Sequence, residues 1–336
     1  FPLQETTIQL KKEMLNLTRQ EKWMQVDVYF EFYNPGPEKE LIVGFVTPPE
    51  AGDVVDRHLK HPKINNFIVI VNNDSIDYKI VKMNSSGFRI ADSLVGGDDF
   101  VYYFKVIFPP GETKIRHGYK YRGGEGVLAL NDYYYRLTTG TGWANREIED
   151  FELNIDMGED CYFSLPHTFN NSKANWTIIG EGRLSNKMLL DNWDDYHITM
   201  AYVRTGTIQL KAKHFKPTND LSIMIFQPDT EFQYWSNDTG SNEFWDMRDF
   251  LWKRNIPIDK RCQMLSDRQL RLWVNLPYAR AGYLFKDTDL KEAFSGYVWY
   301  MPDSNVPAVF KPYYYDYETF NALVNELEQR KKEDDR

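Results

Sequence analysis

Apolar residues recur at every second position through the first two-thirds of the chain. In residues 26–33, Val26, Val28, Phe30 and Phe32 fall on one side, and Asp27, Tyr29, Glu31 and Tyr33 on the other. Successive strand side chains point to opposite faces, so this pattern predicts a half-buried strand. Asn34-Pro35-Gly36-Pro37 ends it, because proline has no N–H to donate and glycine accepts positive φ. Further strands are predicted over residues 41–46, 67–71, 101–108 and 221–225. Phe151, Leu153 and Ile155 alternate in the same way. Ile198, Met200 and Tyr202 lead to a turn at Thr205-Gly206, after which Ile208, Leu210 and Ala212 alternate again. Short strands separated by turn signals, with no helical pattern between them, predict an antiparallel β-sandwich over residues 1–228. That length allows one elaborated lobe or two lobes with a boundary near 140, at Gly140-Thr141-Gly142.

The period then changes. Residues 229–243 are polar and turn-rich and read as a linker. From 244 to 330 the spacing is helical, which predicts a small, mainly α-helical domain and an α+β multidomain class for the whole chain. Phe244, Met247 and Leu251 fall at i, i+3 and i+7, and Pro257 ends that helix. Ser266 or Asp267 can cap a second helix by accepting orphan N–H groups, and Pro277 predicts a kink or a helix end near it. Asp287 or Thr288 can cap a third helix. Phe320, Leu323, Val324 and Leu327 form the apolar stripe of a last one, with Asp316 as its cap. The charged tail 328–336 is expected to fray.

Composition narrows the function classes. The chain has 336 residues, and Asp plus Glu outnumber Lys plus Arg by 49 to 40, a net charge of −9. A protein that grips phosphate backbones normally carries excess positive charge, so nucleic acid is not an expected partner. No apolar run is long enough for a transmembrane helix. With Cys161 and Cys262 as the only cysteines, neither a disulfide framework nor a four-thiolate zinc site can be built. A single Cys161–Cys262 bridge stays open. No G-x-S-x-G, S-x-x-K or H-E-x-x-H occurs. Asp191, Asp194, Asp195 and His197 cluster without calcium-loop spacing, and Asp56, His58 and His61 lack a third strong ligand nearby. No metal or cofactor is expected.

The stretch from Leu270 to Trp299 resembles the YARHG domain, a small helical module of bacterial exported proteins. Asn275, Tyr278, Ala279, Arg280, Gly282, Phe285, Leu290, Phe294, Trp299 and Tyr300 match its pattern, whereas Ala281 stands where the family has histidine. The strand region is similar to a bacterial domain family of unknown function that often precedes that module. Its matching pieces include Tyr29 to Pro35, Val43-Gly44-Phe45, Pro109 to Thr113, and Tyr135 to Gly140 with Trp143. The resemblance implies export through a signal peptide absent from this chain, to a periplasmic or extracellular location. A start at Phe1, without Met, suits that expectation.

Within the module, Tyr278, Arg280, Trp299, Tyr300, Tyr314 and Tyr315 are the candidate binding residues. A guanidinium can fork a carboxylate, and exposed aromatic rings offer contact area at low rotamer cost. The competing role is structural, with Gly282 ending a helix in the left-handed region and the rings packing the interior. These residues suggest an exported, non-enzymatic binding or scaffold protein of the bacterial cell envelope, whose partner is a glycan, peptide or protein. The alternative is a cell-wall glycan or peptide hydrolase using paired carboxylates.

Overall fold

The structure, a computed structural model, describes residues 7–46, 64–82, 85, 100–126, 130–170, 172–191, 194–226, 255–306 and 317–334, with the side chains of 46, 186–197 and 334 excepted. The chain divides into two compact units, one of residues 1–187 and 197–226, the other of residues 188–196 and 227–336. Residues 188–196, read from sequence as part of the strand region, group with the second unit.

In the first unit, β1 (Gln9–Gln20), β2 (Trp23–Asn34) and β3 (Lys39–Val46) are followed by β4 (Ile64–Val71), β5 (Asp74–Ser75) and β6 (Lys79–Lys82). Then come β7 (Phe100–Phe108), β8 (Gly111–Arg122), β9 (Asn131–Tyr135), β10 (Ile148–Asp156) and β11 (Cys161–Pro166). The short β12 (Thr168–Phe169) and β13 (Ser172–Lys173) precede β14 (Thr177–Asp191), β15 (Asp194–Phe215) and β16 (Leu221–Ile225). The main sheet runs β5-β4-β8-β2-β1-β10-β15-β11-β16-β9, with β14 also paired to β15. A second sheet, β3-β7-β6, turns Val43, Phe45, Phe104 and Val106 onto the main sheet. Phe45 lies 4.6 Å from Tyr119 between ring centroids, and Tyr102 lies 4.9 Å from Phe67. Lys105 and Glu40 pair on the outer face of the second sheet.

The alternation read from 26–33 holds, since Val26, Val28 and Phe32 are buried and Asp27 and Tyr33 exposed. The Asn34 turn also has its reason. The Asn34 amide donates to the carbonyls of Pro37 (2.8 Å) and Phe108 (2.9 Å), while its oxygen accepts from the Gly36 N–H at 3.0 Å. Those bonds tie the end of β2 to the end of β7.

The strand reading is corrected at three points. The sheet is not wholly antiparallel, because β1 and β10 run parallel, as the long connection between them permits. That pair also carries one sheet and one hydrophobic cluster across position 140, so strands from both sides of it share a core. Thr205-Gly206 is not a turn. β15 runs straight through it, with Gly206 at φ +100° facing Gly180 at φ +133° on β14. A Cβ on Gly206 would meet the Ile179 carbonyl oxygen at 2.0 Å, so only glycine fits this close approach.

The second unit holds α1 (Ile258–Gln263), α2 (Asp267–Arg280), α3 (Thr288–Ser295) and α4 (Tyr317–Asp334). The expected helix around Phe244, Met247 and Leu251, the Asp316 cap and the 229–243 linker lie outside the described residues. Ser266 caps α2 in a reciprocal box with Gln269, and Asp287 caps α3 by accepting from the Leu290 N–H. α2 passes through Pro277 and stops three residues later, where Gly282 takes φ +78°. The Tyr283 N–H reaches the Tyr278 carbonyl and the Gly282 N–H that of Ala279, which satisfies the last carbonyls of the helix. α4 does not fray at 328. Arg330 bonds Glu326 and Asp267, and it also donates to the carbonyls of Cys262, Gln263 and Leu265 at and just beyond the end of α1. Cys161 and Cys262 are both free, buried thiols. Among the described residues, no helix is long and apolar enough to cross a membrane.

Candidate functional site

The aromatic residues singled out in the helical module occupy its interior. Trp299 is 2% exposed and Tyr300 1%. Trp299 stacks on Tyr297 at 5.3 Å, Phe294 packs against both Trp299 and Tyr300, and the Tyr300 hydroxyl donates to the Tyr283 carbonyl. A ligand would reach these two rings only by displacing the residues that cover them. Tyr278 and Arg280 are half-buried near the end of α2, and Tyr278 meets Tyr283 edge-on. Tyr314 and Tyr315 lie outside the described residues, as do Asp56, His58 and His61. The side chains of Asp191, Asp194, Asp195 and His197 are likewise not described.

The first unit holds a cavity of about 60 Å³ between its two sheets. The β-ladders dictate what lines it. Glu13 on β1 sits opposite Phe30 on β2, which sits opposite Ile115 on β8. One row along the same face, Leu15, Val28 and His117 are in register. From ideal strand spacings, the Glu13 and His117 Cα atoms stand about 12 Å apart, on a diagonal across Phe30. Val43 and Phe45 of β3 roof the cavity, and the segment carrying Tyr135, Gly140 and Trp143 closes one side. That segment is fixed by Asp220, which accepts from the Thr138 N–H and hydroxyl and faces Arg136 at 4.0 Å.

Alternation with Leu15 and Leu17 turns Glu13 inward. β1 carries an irregularity between Leu10 and Lys12, so Leu10 and Glu13 share the buried face although they are three residues apart. The Asn145 side chain repairs the backbone there. Its oxygen accepts from the Leu10 N–H at 3.1 Å, and its amide donates to the Leu10 carbonyl at 3.0 Å.

Burial sets the chemistry of both titratable groups. Glu13 is 3% exposed, and its carboxyl is pushed up to about 8, chiefly because burial penalises the charged form, while the Tyr135 hydroxyl, donating at 3.3 Å, pulls it back in part. His117 is pushed down to about 3 by burial, so the imidazole is neutral at physiological pH. Its Nε2 is buried and makes no hydrogen bond. The ring sits among Phe30 (5.3 Å), Phe45 (5.5 Å), Phe67 (6.0 Å) and Tyr119 (6.1 Å). Tyr119 and Tyr135 are held well above the usual phenol range by burial. The site is thus a mostly apolar chamber whose lining also includes Glu13, His117 and Arg136, an arrangement that can orient a small molecule.

Neither Glu13 nor His117 was singled out by motif. One signal was available, since the Leu15–Leu17 phase extended backward puts Glu13 on the buried side.

Comparison with known proteins agrees with this architecture. Residues 250–327 match the YARHG domain family. No curated protein matches the chain. Among solved structures, a "putative nutrient binding protein" of Legionella pneumophila superposes with a TM-score of 0.55 at 18% identity, covering 98% of this chain and 95% of that one. At that identity the likeness is one of fold. An M1 zinc metallopeptidase of Deinococcus radiodurans gives a TM-score of 0.26 at 10% identity, over 65% of this chain and 42% of that one, too low to bear on fold or chemistry. The stretch that matches the YARHG domain family, residues 250–327, is thus preceded by a β-rich region.

Proposed function

We propose that this is an exported, non-enzymatic binding protein of the bacterial cell envelope, and that its β-rich unit holds a small ligand in the cavity between the two sheets. The observation that carries the reading is the cavity itself, a mostly apolar chamber whose lining includes Glu13, Arg136 and His117, the last with its Nε2 buried and unbonded. Buried polar atoms almost always find partners, so an unbonded imidazole nitrogen on a residue that lines a cavity is a place for one. The likeness in fold to a nutrient binding protein supports the same reading, and the YARHG domain supports export. The well-packed core of that domain argues for a displayed module whose aromatic rings are structural.

Ligand-observed NMR on the full chain, with small neutral, anionic and cationic solutes, tests the binding. At least one solute should bind saturably, and His117→Phe, which fills the chamber with a ring, should weaken it about tenfold or more, the scale of one lost hydrogen bond plus lost room. No saturable solute, or a variant that binds as the parent does, would refute the reading. Export is tested by fractionating the source cells, and a protein confined to the cytoplasm would overturn that part.

A further inference from the structure

We propose that the cavity selects a small organic cation, a methylated or primary ammonium, with the Glu13 carboxylate as its counter-ion and aromatic rings as its walls. This rests on the binding reading above and narrows it to a ligand class.

Three observations converge. First, Glu13 is an almost fully buried acid, and no Lys, Arg or His side chain among the described residues pairs with it. Its one side-chain hydrogen bond among the described residues is the long contact from the Tyr135 hydroxyl. Carboxyls are rarely buried without a cation, and an ammonium brought in by a ligand would supply the missing charge. Second, the walls are aromatic. Phe30, Phe45, Tyr119 and Trp143 line the chamber, and ring faces attract cations electrostatically, most strongly where water is excluded. Third, among the residues that line the chamber Glu13 is the one acid and Arg136 the one permanent cation. His117 on β8 is neutral, Tyr119 and Tyr135 stay protonated, and Arg136 faces the carboxylate of Asp220. An anion would meet the negative faces of the rings, and neither an anion nor a neutral solute would stabilise an ionised Glu13. The volume fits one compact head group and no more.

Because the empty site holds Glu13 protonated, the cation must displace that proton. Binding then releases close to one proton per site at pH 7, and affinity rises about tenfold per pH unit from pH 6 until it levels near pH 8, where the carboxyl ionises unaided.

Calorimetry on the full chain provides the test, with trimethylammonium chloride as the probe and tert-butanol as a neutral molecule of similar shape. Titration at pH 7 in two buffers of different ionisation heat counts the protons. Trimethylammonium should bind with about one proton released, and tert-butanol at least tenfold more weakly. Glu13→Gln, which keeps an acceptor for Tyr135, should lose the cation more than tenfold and leave tert-butanol unchanged. Phe45→Leu should weaken the cation about fivefold, the scale of one lost ring face. This second variant, together with the proton count on the parent, decides the matter if Glu13→Gln fails to fold. If tert-butanol binds as tightly as the cation and Glu13→Gln is indifferent, the cation assignment is overturned while the cavity remains a binding site. If neither probe binds the parent, and the wider NMR panel is silent too, both readings fall. Cation binding without proton release, unaffected by Phe45→Leu, would place the ion elsewhere and also overturn the proposal.

Discussion

Replacing Glu13 by glutamine should stabilise the β-rich unit, and by an amount that depends on pH in a calculable way. The carboxyl ionises at about 8 in the folded chain, against an ordinary value of 4.5. Between those values the folded state keeps a proton that the unfolded state has released, so stability falls as pH rises through that window. Each pH unit costs about 1.4 kcal/mol. The penalty is therefore close to zero below pH 4, about 1 kcal/mol at pH 5, about 3 kcal/mol at pH 7, and levels near 5 kcal/mol above pH 8. Glutamine carries no such proton and can still accept from Tyr135. His117 acts in the opposite direction. Its folded value is near 3 against 6.5, so its contribution is lost as pH falls from about 6.5 toward 3. Parent stability alone would mix the two effects, whereas the difference between parent and Glu13→Gln isolates the acid. Urea titrations at pH 5, 6, 7 and 8, read by hydrogen exchange of peptides from β1 and β8, give that difference for the unit concerned. It should widen by about 2 to 3 kcal/mol between pH 5 and pH 7 in favour of the variant. Parallel curves across that range would refute the claim that Glu13 sits in an unpaired, water-poor environment.

Gly206→Ala forces a Cβ into the Ile179 carbonyl at a φ of +100°, so it should cost more than about 2 kcal/mol, measured by the same urea titration. Arg330→Ala removes the ties from α4 to the end of α1. It should cost about 2 kcal/mol and raise exchange in α1 and α4, with β1 and β8 unchanged. Trp299→Ala empties the middle of the module. It should destabilise residues 258–334 by about 3 to 5 kcal/mol while leaving ligand binding by the β-rich unit intact. Weaker binding without loss of stability would instead make that ring a contact residue.

Period decided much of this protein in advance. Alternation at 26–33 named strand β2 and its inward face, because a pleated strand has only two sides, and the run at 101–108 named β7. Asn34, Ser266, Asp287 and Gly282 marked ends of elements, because capping and turn chemistry is local and the residues that perform it are few. The shift to helical spacing, with the Tyr278–Tyr300 resemblance, placed the YARHG domain. Tertiary pairing decided the rest. Alternation says that a strand exists and carries no information on its neighbour, so the parallel β1–β10 pair could not be read. Gly206 looks like a turn until Gly180 is found opposite it. Trp299 and Tyr300 can be read from sequence as a binding face or as an interior, and only the rings packed around them choose. Glu13 and His117 lie more than 100 residues apart and belong to no motif. What makes them a site is the low-dielectric chamber that the ladders of β1, β2 and β8 close over them, and burial of that kind is a property of the packed sheets, absent from either residue alone.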